Sequence, residues 1–128
     1  MKEKVEELNK RFHNSSPEEI LEYFIKNSDE NIALSSSFGA EDQVITDMML
    51  NIDKNANIFT LDTGRLPYET YSVMDSTNLK YNIKVKVYFP NDNDVEDLYK
   101  TQGINGFYES IENRKACCYV RKIAPLKR

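Results

Sequence analysis

The sequence predicts an α/β fold in which an open, mainly parallel, Rossmann-like sheet is flanked by helices. Three short apolar runs, predicted as strands, begin near residues 32, 58 and 84, so that their starts are 26 residues apart. Apolar residues at helical spacing follow the first two runs, and this alternation favours right-handed crossovers between parallel strands. A length of 128 residues with 40% hydrophobic and 30% charged residues fits one globular domain and excludes disordered or collagen-like chains.

Two helices are predicted before the first strand. Apolar residues three and four apart between Val5 and Phe12 indicate the first helix. Residues 16–19 read Ser-Pro-Glu-Glu, a capping box with proline at the first helical position, and predict the start of the second. We expect residues 1–30 to pack as helices on an α/β core formed by residues 31–128.

The three strands are predicted at residues 32–34, 58–61 and 84–89. The helix after the first strand has apolar residues four apart, and the helix after the second runs from about Pro67 to Lys80. The predicted apolar faces comprise Val44, Ile45, Met48 and Met49 in the first of these helices and Tyr71, Val73 and Met74 in the second.

Two further helices are predicted after the third strand. Asn91 opens a polar run that can cap the first of them, and two glycines then interrupt the chain. The last helix is predicted from Asn113 towards Ala124, where Pro125 limits it.

The charge is unevenly spread along the chain. Residues 114–128 contain six basic residues and no acidic one, whereas the rest of the chain carries 11 basic and 21 acidic residues. The net charge of −4 excludes a global basic field for nucleic acid or acidic membranes, and the basic end is predicted to bind an anion. No apolar run approaches the ~18 residues of a membrane span, and residues 1–11 are not signal-like, so we expect a cytoplasmic protein.

A serine-rich loop follows the first predicted strand. Ligands of open parallel sheets bind at the carboxyl ends of the strands, where this loop lies. Ser35, Ser36 and Ser37 carry hydroxyls that can donate to phosphate or sulfate oxygens, and Gly39 allows close approach of the backbone. The alternative is a serine-rich turn with an ordinary helix cap, and the loop lacks the lysine of a Walker motif.

The second strand ends in a similar polar tip at residues 61–65. Arg65 can hold an anion bidentately, and Asp62 can accept hydrogen bonds from a sugar or an amine. The alternative is that Asp62 and Thr63 only cap the following helix. Together, the two loops favour a nucleotide site.

Cys117 and Cys118 are the only cysteines and are adjacent. Their Cα atoms are ~3.8 Å apart across a trans peptide, less than the ~4.4 Å lower limit of usual disulfides, so they are not predicted to form a structural bridge. Their basic flanks suit thiolate chemistry or metal ligation, and the alternative is two half-buried thiols on a solvated basic helix. A single histidine, His13, excludes histidine-rich metal sites.

Three segments taken together resemble the assimilatory adenylyl-sulfate and phosphoadenylyl-sulfate reductases, within the adenine nucleotide alpha-hydrolase-like (PP-loop) fold group. The segments are residues 35–43, residues 61–66, and residues 103–118, which end in the two cysteines. The resemblance extends from about Asn31 to Arg128 and implies thioredoxin-dependent reduction of the sulfonucleotide to sulfite and AMP or adenosine 3',5'-bisphosphate.

The resemblance also implies roles for individual residues. Cys117 and Cys118 match two ligands of a [4Fe-4S] cluster, a feature of the adenylyl-sulfate users, and Lys122 matches a lysine that links cluster and substrate. The implied substrate-binding residues are Ser35, Ser36, Ser37, Phe38, Gly39, Ala40, Glu41, Asp42, Leu61, Asp62, Thr63, Gly64, Arg65 and Lys122.

Members of that family are longer than this chain. Their second half supplies a further arginine-rich loop, a CxxC pair that completes the cluster, and a cysteine that attacks the sulfur and is released from its S-sulfo form by thioredoxin or a similar dithiol. We therefore expect an apparently truncated, amino-terminal portion of the fold, with no catalytic nucleophile of its own. A separate carboxyl-terminal half or a second copy of the chain would be its partner.

Two other hypotheses stay open from the sequence. One is a PP-loop enzyme of the ATP-dependent adenylyltransferase kind, although the serine loop lacks the second glycine of that version. The other is a non-catalytic nucleotide- or cluster-binding module, in which two chains each lend Cys117 and Cys118 to a bridging cluster.

Overall fold

A computed structural model describes residues 1–27 and 31–128. The helices are α1 (Lys2–Arg11), α2 (Pro17–Asn27), α3 (Ala40–Ile52), α4 (Tyr68–Tyr81), α5 (Asp92–Gln102), α6 (Ile111–Cys118) and α7 (Ala124–Leu126), with a 3₁₀ turn at Gly106–Tyr108 and a π-helical segment at Tyr119–Ile123. The strands are β1 (Ala33–Ser35), β2 (Asn57–Leu61) and β3 (Lys86–Tyr88). No helix among these residues is long and apolar enough to cross a membrane.

The three strands form one sheet in the order β1-β2-β3. Strands β2 and β3 are parallel, with Phe59 opposite Lys86 and Leu61 opposite Tyr88. The alternation of strands and helices and the parallel pairing confirm the predicted fold class. Strand β3 is shorter than the predicted run over residues 84–89.

The chain divides into two compact units. The first comprises residues 1–34 and 39–57, and the second comprises residues 35–38 and 58–128. The predicted boundary after residue 30 adjoins residues 28–30, which lie outside the described part of the chain, and it stays a prediction.

In the first unit, helices α1 and α2 pack through aromatic rings. The ring centroid of Phe12 lies 5.1 Å from that of Tyr23, in an edge-on arrangement. The hydroxyl of Ser16 accepts a hydrogen bond from the backbone N–H of Glu19 at 3.2 Å, which confirms the predicted cap of α2.

The predicted apolar face of α3 is wrong in part. Val44 is 54% exposed, whereas Thr46, Met49 and Leu50 are buried. These three residues form an i, i+3, i+4 stripe, so the buried face is centred on a threonine that the apolar pattern did not include.

The core of the second unit contains Ile58, Val85 and Leu98, all buried. Asn91 caps α5 as predicted, since its side-chain oxygen accepts from the N–H of Asp94 at 3.3 Å. Helix α4 differs from the prediction, because Thr77 is its buried residue. The predicted core residues Tyr71 and Val73 are more than one-third exposed.

The last helix is longer than predicted at both ends. Ser110 caps it by accepting from the N–H of Asn113 at 3.1 Å, so α6 begins at Ile111. The prediction that Pro125 limits the helix is wrong, because the helical path runs through the π-helical segment into α7. Pro125 stands in the first turn of α7, where its missing N–H is tolerated.

Candidate functional site

Two cavities of the second unit collect most of the predicted site residues. The serine-loop cavity has a volume of about 230 Å³ and is lined by Ser35, Ser36, Ser37, Leu61, Thr63 and Lys122, among others. The cysteine cleft has a volume of about 430 Å³ and is lined by Thr63, Arg65, Arg114, Cys117, Cys118, Arg121 and Lys122, with Phe107 and Tyr108 beside them. Thr63 and Lys122 line both cavities, so the two cavities are neighbours that share part of their lining.

The serine loop is pinned to β2 through Ser36. Its N–H donates to the Phe59 carbonyl at 2.8 Å, and its carbonyl accepts from the Thr60 hydroxyl at 2.8 Å. Ser36 is only 4% exposed, and its hydroxyl accepts from the N–H of Phe38, which holds the left-handed backbone of Phe38 at a φ of 61°.

The three serines of the loop therefore differ in what their hydroxyls can offer. The hydroxyl of Ser36 is used inside the loop, whereas Ser35 and Ser37 are exposed. The predicted role of all three as ligand contacts stays a prediction.

The other predicted loop residues, Gly39 to Asp42, belong to the first unit. Gly39 is the N-cap of α3, and Glu41 and Asp42 lie in its first turn, where carboxylates favour the positive end of the helix dipole. Their predicted contact with substrate stays a prediction.

The tip of β2 is closed by its own side chains. One oxygen of Asp62 accepts from the N–H of Gly64 at 2.8 Å and from the phenol of Tyr71 at 2.7 Å. The hydroxyl of Thr63 accepts from the N–H of Arg65 at 3.1 Å. Gly64 has a φ of 77°, which its lack of a Cβ makes accessible.

The alternative role predicted for Asp62 and Thr63 is wrong, because neither caps the following helix. The N-cap of α4 is Pro67, and no side chain among the described residues accepts a hydrogen bond there. The hydrogen bond to Asp62 raises the pKa of the Tyr71 phenol, and burial and the negative charge of Asp62 act in the same direction.

Arg65 is held by the loop that precedes the 3₁₀ turn. Its guanidinium donates to the carbonyl of Ile104 at 2.6 Å and to the side-chain oxygen of Asn105 at 2.8 Å. It also lies 4.8 Å from the centroid of the Phe107 ring. Arg65 lines the cysteine cleft, but both of its terminal nitrogens already donate a hydrogen bond to this loop.

Cys117 is half-buried, Cys118 is exposed, and neither forms a disulfide. Four cationic side chains line the same cleft, so the site favours a negatively charged ligand. These cations are Arg65, Arg114, Arg121 and Lys122.

A [4Fe-4S] cluster fits these residues in part. The two thiols line one cleft, but a cluster of this kind takes four cysteine ligands. The sequence contains two cysteines, and the described residues hold no group of three or more metal-ligating side chains of His, Cys, Asp or Glu. Cys117 and Cys118 can therefore supply half of the ligand set.

Arg121 is a site residue whose role the sequence did not reveal. It is only 5% exposed, and its guanidinium donates to the carbonyl of Thr63 at 2.6 Å and to the phenol of Tyr99 at 3.0 Å. From the sequence, Arg121 is one of several cations around the cysteines. Its burial depends on contacts with residues 58 and 22 positions away, which no local pattern signals.

Comparison with known proteins places the sequence in a described family. Residues 31–128 match the family model for the phosphoadenosine phosphosulfate reductase domain. An adenosine 5'-phosphosulfate reductase of Allochromatium vinosum is 40% identical over 77% of this chain and 39% of its own length. One from Sinorhizobium fredii is 46% identical over 73% of this chain and 38% of its own length.

A plant protein covers more of this chain. The chloroplastic 5'-adenylylsulfate reductase 3 of Arabidopsis thaliana is 36% identical over 98% of this chain and 27% of its own length. The chain thus spans two fifths or less of the length of these curated relatives.

Proposed function

This chain belongs to the phosphoadenosine phosphosulfate reductase domain family, and we propose that it supplies the nucleotide site of an enzyme that reduces adenylyl sulfate or phosphoadenylyl sulfate to sulfite. The accompanying product is AMP or adenosine 3',5'-bisphosphate. The observation that carries the proposal is the shared wall of the two cavities, where Lys122 and Thr63 border both the serine loop and the cysteines. A ligand with a nucleotide end and an anionic sulfur end matches such a pair of cavities.

The nucleotide end would occupy the serine-loop cavity. Ser35 and Ser37 are exposed residues that line this cavity, and serine hydroxyls can donate to phosphate oxygens. Lys122 adds a positive charge at the same wall, which favours the phosphate of the nucleotide.

The sulfo end would extend into the cysteine cleft. The exposed cations that line the cleft, Arg65, Arg114 and Lys122, would neutralise the negative charge of this end and of the departing phosphate. The sulfur would be attacked by a thiolate from outside this sequence, since the family resemblance assigns that role to neither Cys117 nor Cys118.

The attack forms a sulfur–sulfur bond and breaks the bond from sulfur to the bridging oxygen, which leaves with AMP. A dithiol such as thioredoxin would then reduce the S-sulfo thiol, release sulfite and become a disulfide itself. In these steps, the residues of this chain bind the nucleotide, orient its sulfo group and stabilise the leaving phosphate.

Cys117 and Cys118 would hold a [4Fe-4S] cluster together with two cysteines from outside this sequence. The chemistry that a bound cluster would supply is that of a thiolate-ligated iron centre, which would add to the electrostatics of the cleft. The cysteine pair favours adenylyl sulfate as the substrate on the family resemblance. Two cysteines outside any disulfide also fit the cytoplasmic location that we propose, because reducing compartments keep thiols reduced.

The thermal stability of the anaerobic chain with and without nucleotides tests this function. A ligand at 100 times its dissociation constant stabilises the native state by about 2.7 kcal/mol, which raises the melting temperature. We expect a larger rise with adenylyl sulfate or phosphoadenylyl sulfate than with ATP at equal concentration. Circular dichroism first establishes that the chain is folded.

Other outcomes would support the other hypotheses. A larger rise with ATP, together with release of pyrophosphate, would contradict the reductase site and support an adenylyltransferase. About four irons per dimer after anaerobic purification, without nucleotide binding, would support a cluster-binding module. A folded chain that no sulfonucleotide stabilises would contradict the proposed nucleotide site.

A further inference from the structure

Residues 111–128, which carry the two cysteines, are called the cysteine segment. Arg121 is a buried cation of this segment and lies where the segment meets the tip of β2. It lies in the π-helical segment and is 5% exposed. One of its terminal nitrogens donates to the carbonyl of Thr63, and the other donates to the phenol of Tyr99 in α5. The guanidinium also lies 5.5 Å from the centroid of the Tyr99 ring.

The burial of the Arg121 guanidinium is not explained by a gain in stability alone. Both hydrogen-bond acceptors are uncharged, and the buried Nε atom has no hydrogen-bond partner among the described residues. A buried cation without a paired carboxylate loses hydration that these contacts only partly replace. The position of the guanidinium therefore calls for a reason beyond packing.

That reason lies in the two residues that Arg121 connects. Thr63, whose carbonyl it holds, and Lys122, its neighbour in sequence, are the two residues that line both cavities. Arg121 is therefore connected to both residues of the shared wall. It binds Thr63 through a hydrogen bond, and it is joined to Lys122 by a peptide bond.

We propose that Arg121 is a positioning residue that holds Lys122 on the wall between the serine-loop cavity and the cysteine cleft. Its own charge is too deeply buried to be the main contact of a ligand, so it acts through Lys122. The consequence for ligands rests on the proposed function: Arg121 would set the preference for adenylyl sulfate, which extends into the cleft, over AMP, which lacks the sulfo group.

The first test measures the environment of Lys122 in the full chain without any ligand. Lysines are dimethylated with ¹³C, and their NMR signals are assigned with Lys122→Gln and Lys115→Gln. In Arg121→Met, which adds no new lysine, we expect the Lys122 signal to shift and the signal of the exposed Lys115 in α6 to stay in place. An unchanged Lys122 signal would overturn the proposal, whether or not the chain binds nucleotides.

The second test measures the dissociation constants of adenylyl sulfate and AMP by calorimetry. In Arg121→Lys, the affinity for adenylyl sulfate should fall by about tenfold, within the usual range of coupling between contacting residues, and the affinity for AMP should fall much less. Adding Arg121→Met to Lys122→Gln should cause no further loss of preference for adenylyl sulfate over AMP. Equal losses for both ligands, or a further loss in the double variant, would overturn the action through Lys122.

A milder variant guards against unfolding. Tyr99→Phe removes one hydrogen-bond acceptor of Arg121 and leaves the ring and the bond to Thr63. It should shift the Lys122 signal in the same direction as Arg121→Met but by less, and no shift would contradict the proposal. If wild-type chain binds neither ligand while the NMR test succeeds, the proposed function fails and the positioning of Lys122 stands.

Discussion

The tip of β2 and the segment that carries the two cysteines both line the candidate site, but they are held in different ways. The tip is closed by hydrogen bonds between residues two apart, from Gly64 to Asp62 and from Arg65 to Thr63. The cysteine segment is held by arginine side chains whose acceptors lie far away in sequence. Arg121 donates to Thr63, 58 residues away, and Arg128 donates to the carbonyl of Phe89, 39 residues away.

This difference indicates which parts of the site depend on single side chains. The backbone turn at the tip is built from these local hydrogen bonds, and the side chain of Arg65 adds bonds to Ile104 and Asn105. The placement of the cysteines and Lys122 depends on contacts that exist only in the folded second unit. We therefore expect substitutions at the tip to act locally and substitutions of the arginines to act on the relation between the tip and the cysteine segment.

Gly64 lies next to Arg121 at the tip of β2, and its substitution should have the largest effect on stability. A Cβ atom at Gly64 would lie 3.3 Å from a terminal nitrogen of Arg121 and 3.3 Å from the ring of Phe89, on a backbone with a φ of 77°. The left-handed backbone alone costs about 1–2 kcal/mol for a residue with a Cβ. We expect Gly64→Ala to lower the free energy of unfolding by about 2 kcal/mol in urea titrations.

Gly103→Ala isolates the cost of a backbone that favours glycine. Gly103 has a φ of 76° and a ψ of −173°, and a Cβ there would meet nothing within 4 Å. Its loss of stability should therefore report a backbone cost without any steric contact. Unchanged stability in Gly64→Ala would contradict the close approach of Arg121 and Phe89 to the tip.

The cap of α6 tests how far the cysteine segment depends on local bonds. Ser110→Ala removes the side-chain acceptor for the N–H of Asn113, and loss of such a cap costs about 1 kcal/mol. Ser72→Ala, at an exposed position within α4, should be neutral or slightly stabilising, because alanine is the better helix former. If Ser110→Ala lost as much stability as Gly64→Ala, the result would contradict the view that long-range arginine contacts, rather than the cap, hold the cysteine segment.

The smallest expected effect concerns Tyr71 and the tip at alkaline pH. Because the folded state raises the pKa of Tyr71 above its ordinary value of 10, the phenol contributes stability that is complete below pH 10 and is lost as pH rises further. Tyr71→Phe should cost less than about 1 kcal/mol at pH 7 and should flatten the decline of stability above pH 10. Tyr68→Phe, at an exposed position of the same helix, should leave that decline unchanged, and a decline that persists in Tyr71→Phe would contradict the assignment.

Local signals in the sequence predicted much of the fold. The caps at Ser16 and Asn91 are formed by side chains and N–H groups three residues apart, so the chain itself displays them. The regular spacing of the strands likewise predicted their parallel order. The buried faces of α3 and α4 were predicted poorly, because Thr46 and Thr77 occupy core positions that a count of apolar residues passes over.

In the candidate site, too, features with a local sequence signal were predicted and features that depend on distant contacts were not. The serine loop and the tip of β2 could be identified from residue type and position after a strand. The anchoring of Arg65 by Ile104 and Asn105 and the burial of Arg121 could not, because their partners are brought close only by the fold. The π-helical segment also escaped prediction, since it adds a residue to the helical turn without a marker in the sequence.

We propose that the two cavities serve one sulfonucleotide ligand, with Lys122 lining both. Calorimetric titration of Lys122→Gln with adenylyl sulfate and with AMP, beside Lys115→Gln, tests it most directly. The account predicts that Lys122→Gln loses its preference for adenylyl sulfate over AMP, whereas Lys115→Gln, which removes the same charge outside both cavities, keeps it. Equal preferences in the two variants would contradict the claim.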